Sequence, residues 1–396
     1  MAESVELVTQ PSIAPNRGDV IAAILVGGIG VTQVVAMPLL ANLVAETHHV
    51  SGVESGLVGL ANLLGTAIGS LFVTVWLGRL PIRMVSFLAA ILACVAQFSV
   101  ALMPGFHGAV AMEALAGFGA GILLALSAAI VGASSNADRG FAFILTLQAV
   151  VAVIVLLGIP AFANVSTLVP VVAFLAAVQA LMIPVTWMLK QDPVTADSQA
   201  EGAANNSAFH PAIILKASSY FIFSAAVGVL WVFSGVLGSL AELPDGVIGQ
   251  ALAVGNVAAI AGSLLAALIT SRFGRVGPVL LVCVTVVVSI TLFSEHMGAG
   301  TFYAASSLFL FAWGGGLPLM MGMVAEVDPT ERVTSLLPVL AFAGMGIGPA
   351  LVSIIPEVHG LFRQVSVTTI ALAVFSFILF FAAHTLWRGS ESRFPE

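Results

Sequence analysis

The sequence predicts an all-α membrane protein with twelve transmembrane helices. Of its 396 residues, 60% are hydrophobic and only 8% are charged, whereas about 25% of the residues in a soluble domain are charged. Apolar runs of roughly 20 residues, long enough to cross a bilayer as a helix, recur along the whole chain. This composition excludes a cytosolic enzyme, a nucleic-acid-binding protein and a disordered chain.

Six apolar runs make up the first half of the chain. The N-terminal segment before them is polar and acidic, and it lacks the basic region of a cleaved signal peptide. Turn-forming residues interrupt the later runs, as at the Pro-Gly pair 104–105 and at 136–140. The predicted spans 1 to 6 are 20–43, 55–77, 84–103, 108–133, 141–162 and 167–189.

Six further runs follow a long polar segment, 190–211, which we interpret as a cytoplasmic linker. The linker divides the chain into an N-terminal six-helix bundle, 1–189, and a C-terminal six-helix bundle, 212–396. Breaks at 244–246 and 328–329 again contain proline and aspartate. The predicted spans 7 to 12 are 212–238, 246–270, 277–294, 302–325, 333–355 and 365–387.

The positions of lysine and arginine predict the orientation. With the N-terminus in the cytoplasm, 11 of the 12 basic residues fall at the cytoplasmic face and only Arg363 falls outside, as the positive-inside rule requires. We therefore expect a multi-pass protein of a bacterial inner membrane with both termini cytoplasmic. The 11 residues are Arg17, Arg79, Arg83, Arg139, Lys190, Lys216, Arg272, Arg275, Arg332, Arg388 and Arg393.

Neither a disulfide framework nor a cofactor is expected. The two cysteines, Cys94 and Cys283, both lie within apolar runs. The histidines of the outer loops have no helical pair spacing, so no metal site is predicted. No Gly-x-x-x-x-Gly-Lys-Ser/Thr loop occurs, which excludes ATP as the energy source within this chain.

The two halves of the chain show an internal repeat with an offset of 193 residues. This offset places Gly69-Ser70-Leu71 on Gly262-Ser263-Leu264 and Arg79 on Arg272. The arginine match is the more informative because charged residues are scarce. Two parallel six-helix repeats place a cavity at their interface near the middle of the bilayer.

With this repeat, the chain resembles the major facilitator superfamily over nearly its whole length. The loop at 78–83 reads Gly-Arg-Leu-Pro-Ile-Arg and the loop at 271–275 reads Ser-Arg-Phe-Gly-Arg. Both resemble the basic loop of the family, which typically reads Asp-Arg-x-Gly-Arg, although neither keeps the acid. The resemblance implies a gating role for Arg79, Arg83, Arg272 and Arg275; alternatively, these residues serve only orientation.

Two glycine motifs add to the resemblance. The family's span-4 motif typically reads Arg-x-x-x-Gly-x-Gly-x-Gly, and residues 113–121 keep the glycine spacing with Glu113 in place of the arginine. Residues 344–349 in span 11 read Gly-Met-Gly-Ile-Gly-Pro and resemble an antiporter motif that family members carry in span 5. Span 5 here offers only Gly-Ile-Pro at 158–160. This weakens an assignment as a drug antiporter but leaves export open.

Glu113 is the candidate proton-coupling residue. It is the only Asp or Glu well within a predicted span, and a charge inside the membrane is costly enough to mark a functional site. A carboxyl group that alternates between its protonated and ionised forms can carry a proton as the access to the cavity changes. Alternatively, Glu113 lies only about 9 Å into span 4 at 1.5 Å per residue and touches outside water.

The substrate is expected to be neutral, amphipathic or cationic. No lysine or arginine lies deep within a predicted span to offset the desolvation of an anion. In the family, spans 1, 2, 4, 5, 7, 8, 10 and 11 line the cavity. The resemblance therefore implies that amide and aromatic side chains in these spans contact the substrate. Alternatively, the amides only form hydrogen bonds between helices. The candidate substrate-binding residues are Gln33, Asn62, Gln148, Tyr220, Trp231, Asn256 and Trp313.

Span 10 is predicted to bend or unwind. Gly314, Gly315, Gly316 and Pro318 follow Trp313 directly, and broken helices in transporters expose backbone groups to the cavity. We expect this segment to act as a gate.

These features together favour a secondary active transporter, with proton-coupled export as the first hypothesis. Proton symport of a neutral nutrient and a receptor that binds without transporting remain alternatives. An enzyme is not expected because no His-Glu-x-x-His motif or intramembrane carboxylate pair occurs, and a channel would need rings of charge or carbonyl groups. The expected partners are a small-molecule substrate, protons and the lipid bilayer, without nucleic acid, and the family resemblance implies a monomer.

Overall fold

The computed structural model describes residues 15–134, 136–163, 168–190, 211–273, 276–328, 333–352, 354 and 360–391. Every regular element among these residues is a helix. Within this described part of the chain, ten helices are long and apolar enough to cross a membrane, and two shorter apolar helices complete the predicted twelve spans. The linker segment 191–210 lies outside the described residues.

The helices follow the predicted order closely. The first six spans are Arg17–Ile29 with Thr32–Thr47, Gly52–Trp76, Ile82–Ser99, Phe106–Gly132, Ala137–Ala163, and Leu168–Ala180 with Met182–Thr186. The last six are Pro211–Leu240, Asp245–Phe273, Val276–Leu292, Ala299–Val327, Leu337–Val352 and Gly360–Glu391. The two short helices are spans 9 and 11. The fold is therefore an all-α membrane fold, as predicted.

The two halves repeat the same packing at the predicted offset. Ser70 in span 2 donates a hydrogen bond to the carbonyl oxygen of Gly121 in span 4 at 3.2 Å. Ser263 in span 8 donates to the carbonyl oxygen of Gly314 in span 10 at 2.6 Å, with the same sequence separation of 51 residues. The internal repeat is thus visible as equivalent side-chain contacts, and the two six-helix bundles are pseudo-symmetric.

Glycines allow this close approach in both halves. A Cβ atom on Gly121 would lie 2.1 Å from the carbonyl oxygen of Thr66, and one on Gly314 would lie 2.1 Å from that of Ala259. Small residues bring helix backbones together in membranes in this way. The glycine spacing in spans 4 and 10 therefore has a clear packing role.

The two bundles meet through spans 1, 2 and 5 of the first half and spans 7, 8 and 11 of the second. Gly56 in span 2 packs against Phe233 and the carbonyl oxygen of Pro349, and Gly249 in span 8 packs against Leu156. Gly56 and Gly249 are equivalent positions of the repeat, and so are Leu156 and Pro349. Both contacts lie near the end of the molecule where spans 2 and 8 begin. We call this end of the molecule the 52/245 end.

Span 10 does not unwind as predicted. The helix Ala299–Val327 continues through Pro318 without a break. A proline has no N–H for the carbonyl group four residues earlier, and here that carbonyl belongs to Gly314 and accepts the hydrogen bond from Ser263 instead. The three glycines then pack against neighbouring helices. The breaks occur in span 1, at 30–31, and in span 6, at Leu181.

Candidate functional site

A buried carboxyl group with two amide partners forms the candidate site. Glu113 in span 4 has no exposed surface, so its carboxyl group does not touch bulk water. Its Oε2 atom accepts a hydrogen bond from Asn62 Nδ2 in span 2 at 2.9 Å. Its Oε1 atom accepts one from Gln97 Nε2 in span 3 at 3.0 Å. The three side chains are all fully buried and form what we call the Glu113 cluster.

Close helix packing positions this cluster. A Cβ atom on Gly117, one turn after Glu113, would lie 2.0 Å from the carbonyl oxygen of Asn62. On the other side of span 4, a Cβ atom on Gly119 would lie 2.7 Å from the carbonyl oxygen of Ala89 in span 3. Span 4 is therefore held tightly between spans 2 and 3, and the Glu113 cluster lies within the first bundle.

The second bundle packs its equivalent helices without such a cluster. The repeat offset places Asn62 on Gly255, Gln97 on Ile290 and Glu113 on Ser306. Ser306 is fully buried, and none of these equivalents carries a charge. The same helix packing therefore forms without the carboxyl group, so the packing alone does not require it.

An aromatic group lies where the two bundles meet. The Trp231 and Trp313 rings make an edge contact with centroids 5.2 Å apart, and Phe309 stacks on Trp313 at 6.0 Å. Trp231 Nε1 donates a hydrogen bond across the bundles to the carbonyl oxygen of Val34 at 2.7 Å. This carbonyl group is free because Pro38, four residues later, has no N–H. The indole N–H of Trp231 is thus engaged by span 1.

The other predicted substrate-binding residues have diverse surroundings. Gln33, just after the break in span 1, is buried, and neither of its amide atoms has a hydrogen-bond partner. Gln148 Nε2 donates to the carbonyl oxygen of Gly27 at 3.0 Å, which joins span 5 to span 1. Asn256 Nδ2 donates to the carbonyl oxygen of Leu252 in its own helix at 2.9 Å. Tyr220 in span 7 is buried.

The two gating arginines of the first half, Arg79 and Arg83, make contacts within that half. Arg83 Nε donates to the carbonyl oxygen of Leu189 at 2.6 Å, and so joins the start of span 3 to the end of span 6. The Arg79 guanidinium lies over the ring of Trp76, 5.6 Å from its centroid. Arg275 and the side chain of Arg272 lie outside the described residues.

Gln97 is the member of the site that sequence reasoning missed. Span 3 is not among the spans that line the cavity in the family, so its polar residues were not considered. The available signal was simple, because Gln97 is an amide within an otherwise apolar span. Among the described residues, no group of three or more His, Cys, Asp or Glu side chains could hold a metal ion.

Comparison with known proteins identifies the family. The sequence model of the Major Facilitator Superfamily matches residues 22–334, and no curated protein sequence matches the chain. A crystal structure of the nucleoside transporter NupG shares 14% identity and a TM-score of 0.71, covering 93% of this chain and 98% of that one.

Two further crystal structures show the same fold. A bacterial homologue of the human lysosomal transporter Spinster, inward-facing and occupied, has a TM-score of 0.71 at 14% identity, with 93% of this chain and 96% of that one covered. A POT family transporter in complex with 5-aminolevulinic acid has a TM-score of 0.73 at 11% identity, with 94% and 97% covered. The match of the family model over most of the chain shows that this protein belongs to the major facilitator superfamily of membrane transporters.

Proposed function

We propose that the protein is a proton-coupled secondary transporter that exports a small neutral, amphipathic or cationic organic molecule by alternating access. The buried carboxyl group of Glu113 is the single observation that carries the coupling. A fully buried acid with two amide partners in a membrane span is costly, and the second bundle shows that the packing does not need it. Its retention is explained if the group takes up and releases protons during transport.

The character of the bundle interface supports the proposed substrate class. The aromatic group of Trp231, Trp313 and Phe309 lies beside the bundle interface, and aromatic rings suit apolar or cationic groups. No lysine or arginine lies deep within a predicted span to bind an anion. The gating role of Arg79, Arg83, Arg272, Arg275 and the 314–318 segment, as well as the monomeric state, remains part of this proposal.

The positive-inside rule supports an orientation in a bacterial inner membrane with both termini on the cytoplasmic side. The 52/245 end of the molecule then faces the outside, and the contacts of Gly56 and Gly249 close that side. The structure in this orientation corresponds to a state that is closed to the outside.

Transport by the purified protein tests the proposal directly. Proteoliposomes with an imposed pH gradient would be assayed with a panel of cationic, neutral and amphipathic compounds, for the wild type, Glu113→Gln and the control Glu242→Gln. Glu242 is exposed, so its variant should behave as the wild type. We expect Glu113→Gln to lose uphill transport and to keep downhill flux.

Other outcomes decide between the alternatives. Uphill transport by Glu113→Gln would show that this residue is not the essential coupling group. Accumulation of a neutral compound together with protons would establish uptake instead of export. Tight binding without flux of any compound would identify a receptor.

A further inference from the structure

The Gln97 amide can change from hydrogen-bond donor to acceptor toward Glu113 without moving a helix. Its Nε2 atom donates to Glu113 Oε1 at 3.0 Å, and its Oε1 atom is buried without a hydrogen-bond partner. The nitrogen and oxygen of an amide have nearly the same size, and the terminal torsion of glutamine has a broad, roughly two-fold energy profile. A half turn therefore exchanges donor and acceptor in the same space.

The Asn62 amide, by contrast, has a fixed orientation. Its Nδ2 atom donates both to Glu113 Oε2 at 2.9 Å and to the Glu113 carbonyl oxygen at 3.3 Å. A half turn would place the amide oxygen against that carbonyl oxygen, which cannot donate a proton. The backbone contact between Gly117 and Asn62 holds the asparagine at this position.

The protonation state of Glu113 decides which Gln97 orientation is favourable. The carboxylate accepts hydrogen bonds at both oxygens, which suits the two amide nitrogens. When a proton binds to Oε1 and an O–H bond forms, that O–H and Gln97 Nε2 become two donors facing each other. A half turn of Gln97 resolves this clash, because its oxygen then accepts from the carboxylic acid.

We infer that Gln97 is a positioning residue whose amide turns over when Glu113 Oε1 takes up a proton. In the ionised state Gln97 donates to the carboxylate, and in the protonated state it accepts from the acid. Either orientation leaves one amide atom of Gln97 without a partner, so the balance between them depends on the carboxyl group. This inference rests on the proposed proton coupling, and it identifies Gln97 as the side chain whose orientation responds to proton uptake by Glu113.

No other charge competes for this role among the described side chains. Span 4 packs against spans 1, 2, 3 and 5, whose charged residues lie at the ends of their helices. None of those with described side chains forms an ion pair with Glu113; the side chain of Asp138 lies outside the description. The charged or titratable residues at these ends are Arg17, Asp19, Glu46, His48, Glu54, Arg83, His107 on span 4 itself, Asp138 and Arg139.

Nuclear magnetic resonance of the two amides tests the inference without a known substrate. The full chain would be labelled with ¹³C and ¹⁵N in glutamine and asparagine side chains, placed in lipid nanodiscs and titrated with acid. Gln97→Met and Asn62→Ala spectra would assign the two signals. We expect the side-chain carbonyl carbon of Gln97 to shift downfield on proton uptake, because its oxygen then accepts a hydrogen bond, and its amide protons to shift upfield. The Asn62 amide protons donate to the same carboxyl group and should also shift upfield, whereas the Asn62 side-chain carbonyl carbon stays nearly fixed.

Glu113→Gln provides the matched control, in which the pH-dependent shifts of Gln97 should vanish. A Gln97 carbonyl carbon that stays fixed at every pH, that shifts equally in Glu113→Gln, or that moves only as much as the Asn62 carbonyl carbon would overturn the inference. Its failure can be told apart from failure of the proposed function. If Glu113→Gln abolishes proton-driven flux while the Gln97 carbonyl carbon does not respond to pH, the coupling stands and the turning amide is excluded.

Discussion

At the scale of single residues, the molecule places one carboxyl group in a fully enclosed polar cluster inside an apolar bundle. Glu113 obtains its hydrogen bonds from two amides on different helices. A buried polar group that loses its partner destabilises a protein more than the intact bond stabilises it. The Glu113 cluster should therefore behave as a coupled unit.

Asn62→Leu is expected to lower the thermal stability of the protein. The substitution leaves Glu113 Oε2 without its donor, which costs about 1–3 kcal/mol. In the background of Glu113→Leu the same change should cost much less, because no carboxyl group remains to be satisfied. Unfolding midpoints in detergent would measure this double-mutant cycle, and additive effects of the two substitutions would contradict the coupling.

The sequence located two members of the cluster but not their contact. Glu113 and Asn62 were both candidates because polar residues in apolar spans are conspicuous. Their contact depends on how span 4 is rotated between spans 2 and 3, and the glycine contacts determine that rotation. Gln97 was missed because span 3 does not line the cavity in the family, and periodicity alone does not show which face of span 3 meets span 4.

At the scale of helices, glycines and prolines at matched positions determine the packing. The repeat predicted from sequence is confirmed by the equivalent hydrogen bonds of Ser70 and Ser263. Span 10 was predicted to bend or unwind, and unwinding was wrong, because the sequence showed Pro318 but not the serine hydroxyl that satisfies the carbonyl freed by it. The order of the helices thus followed from composition, whereas their local geometry depended on contacts between distant segments.

Gly121→Ala and Gly314→Ala should each destabilise the protein to a similar extent. In each case the new methyl group would meet a backbone oxygen at 2.1 Å, and overpacking of this kind costs about 1–3 kcal/mol. Gly300→Ala is the matched control, because open space surrounds a Cβ atom at that helical position. Thermal unfolding of the three variants would test the equivalence of spans 4 and 10, and unaltered stability of Gly121→Ala and Gly314→Ala would refute it.

Trp231→Phe should weaken the contact between span 1 and span 7 of the two bundles and so loosen the 52/245 end. The phenyl ring preserves the aromatic contact but lacks the N–H that satisfies the Val34 carbonyl group freed by Pro38. The reporter is Ser239→Cys, introduced in a background without Cys94 and Cys283; Ser239 is a hydrogen-bond partner of Asn42 across the bundles. This cysteine should react with a membrane-impermeant maleimide several-fold faster in Trp231→Phe than in the parent. The exposed Trp76, changed to Phe, provides the control. Equal labelling rates in Trp231→Phe and the parent would argue against the Val34 bond as a contact that holds this end closed.

At the scale of the whole molecule, two pseudo-symmetric bundles meet through equivalent contacts. Gly56 packs on Pro349 and Gly249 packs on Leu156, so a relative rotation of the bundles would affect both contacts together. A two-state mechanism requires that the bundles separate at one end as they approach at the other. The structure corresponds to one of these two states, the state in which the bundles are in contact at the 52/245 end.

The most direct test of this account is a distance measurement between the bundles at both ends. Double electron–electron resonance would be recorded with spin labels at Glu46 and Leu240, near the 52/245 end, and separately at Gly132 and Ala325, near the opposite end, after replacement of Cys94 and Cys283. The parent would be compared with the Gly56→Trp, Gly249→Trp double variant, in which both contacts are blocked by bulk. We expect a longer 46–240 distance and a shorter 132–325 distance in the double variant. Unaltered distances, or an increase at both ends together, would contradict alternating access through these two bundles.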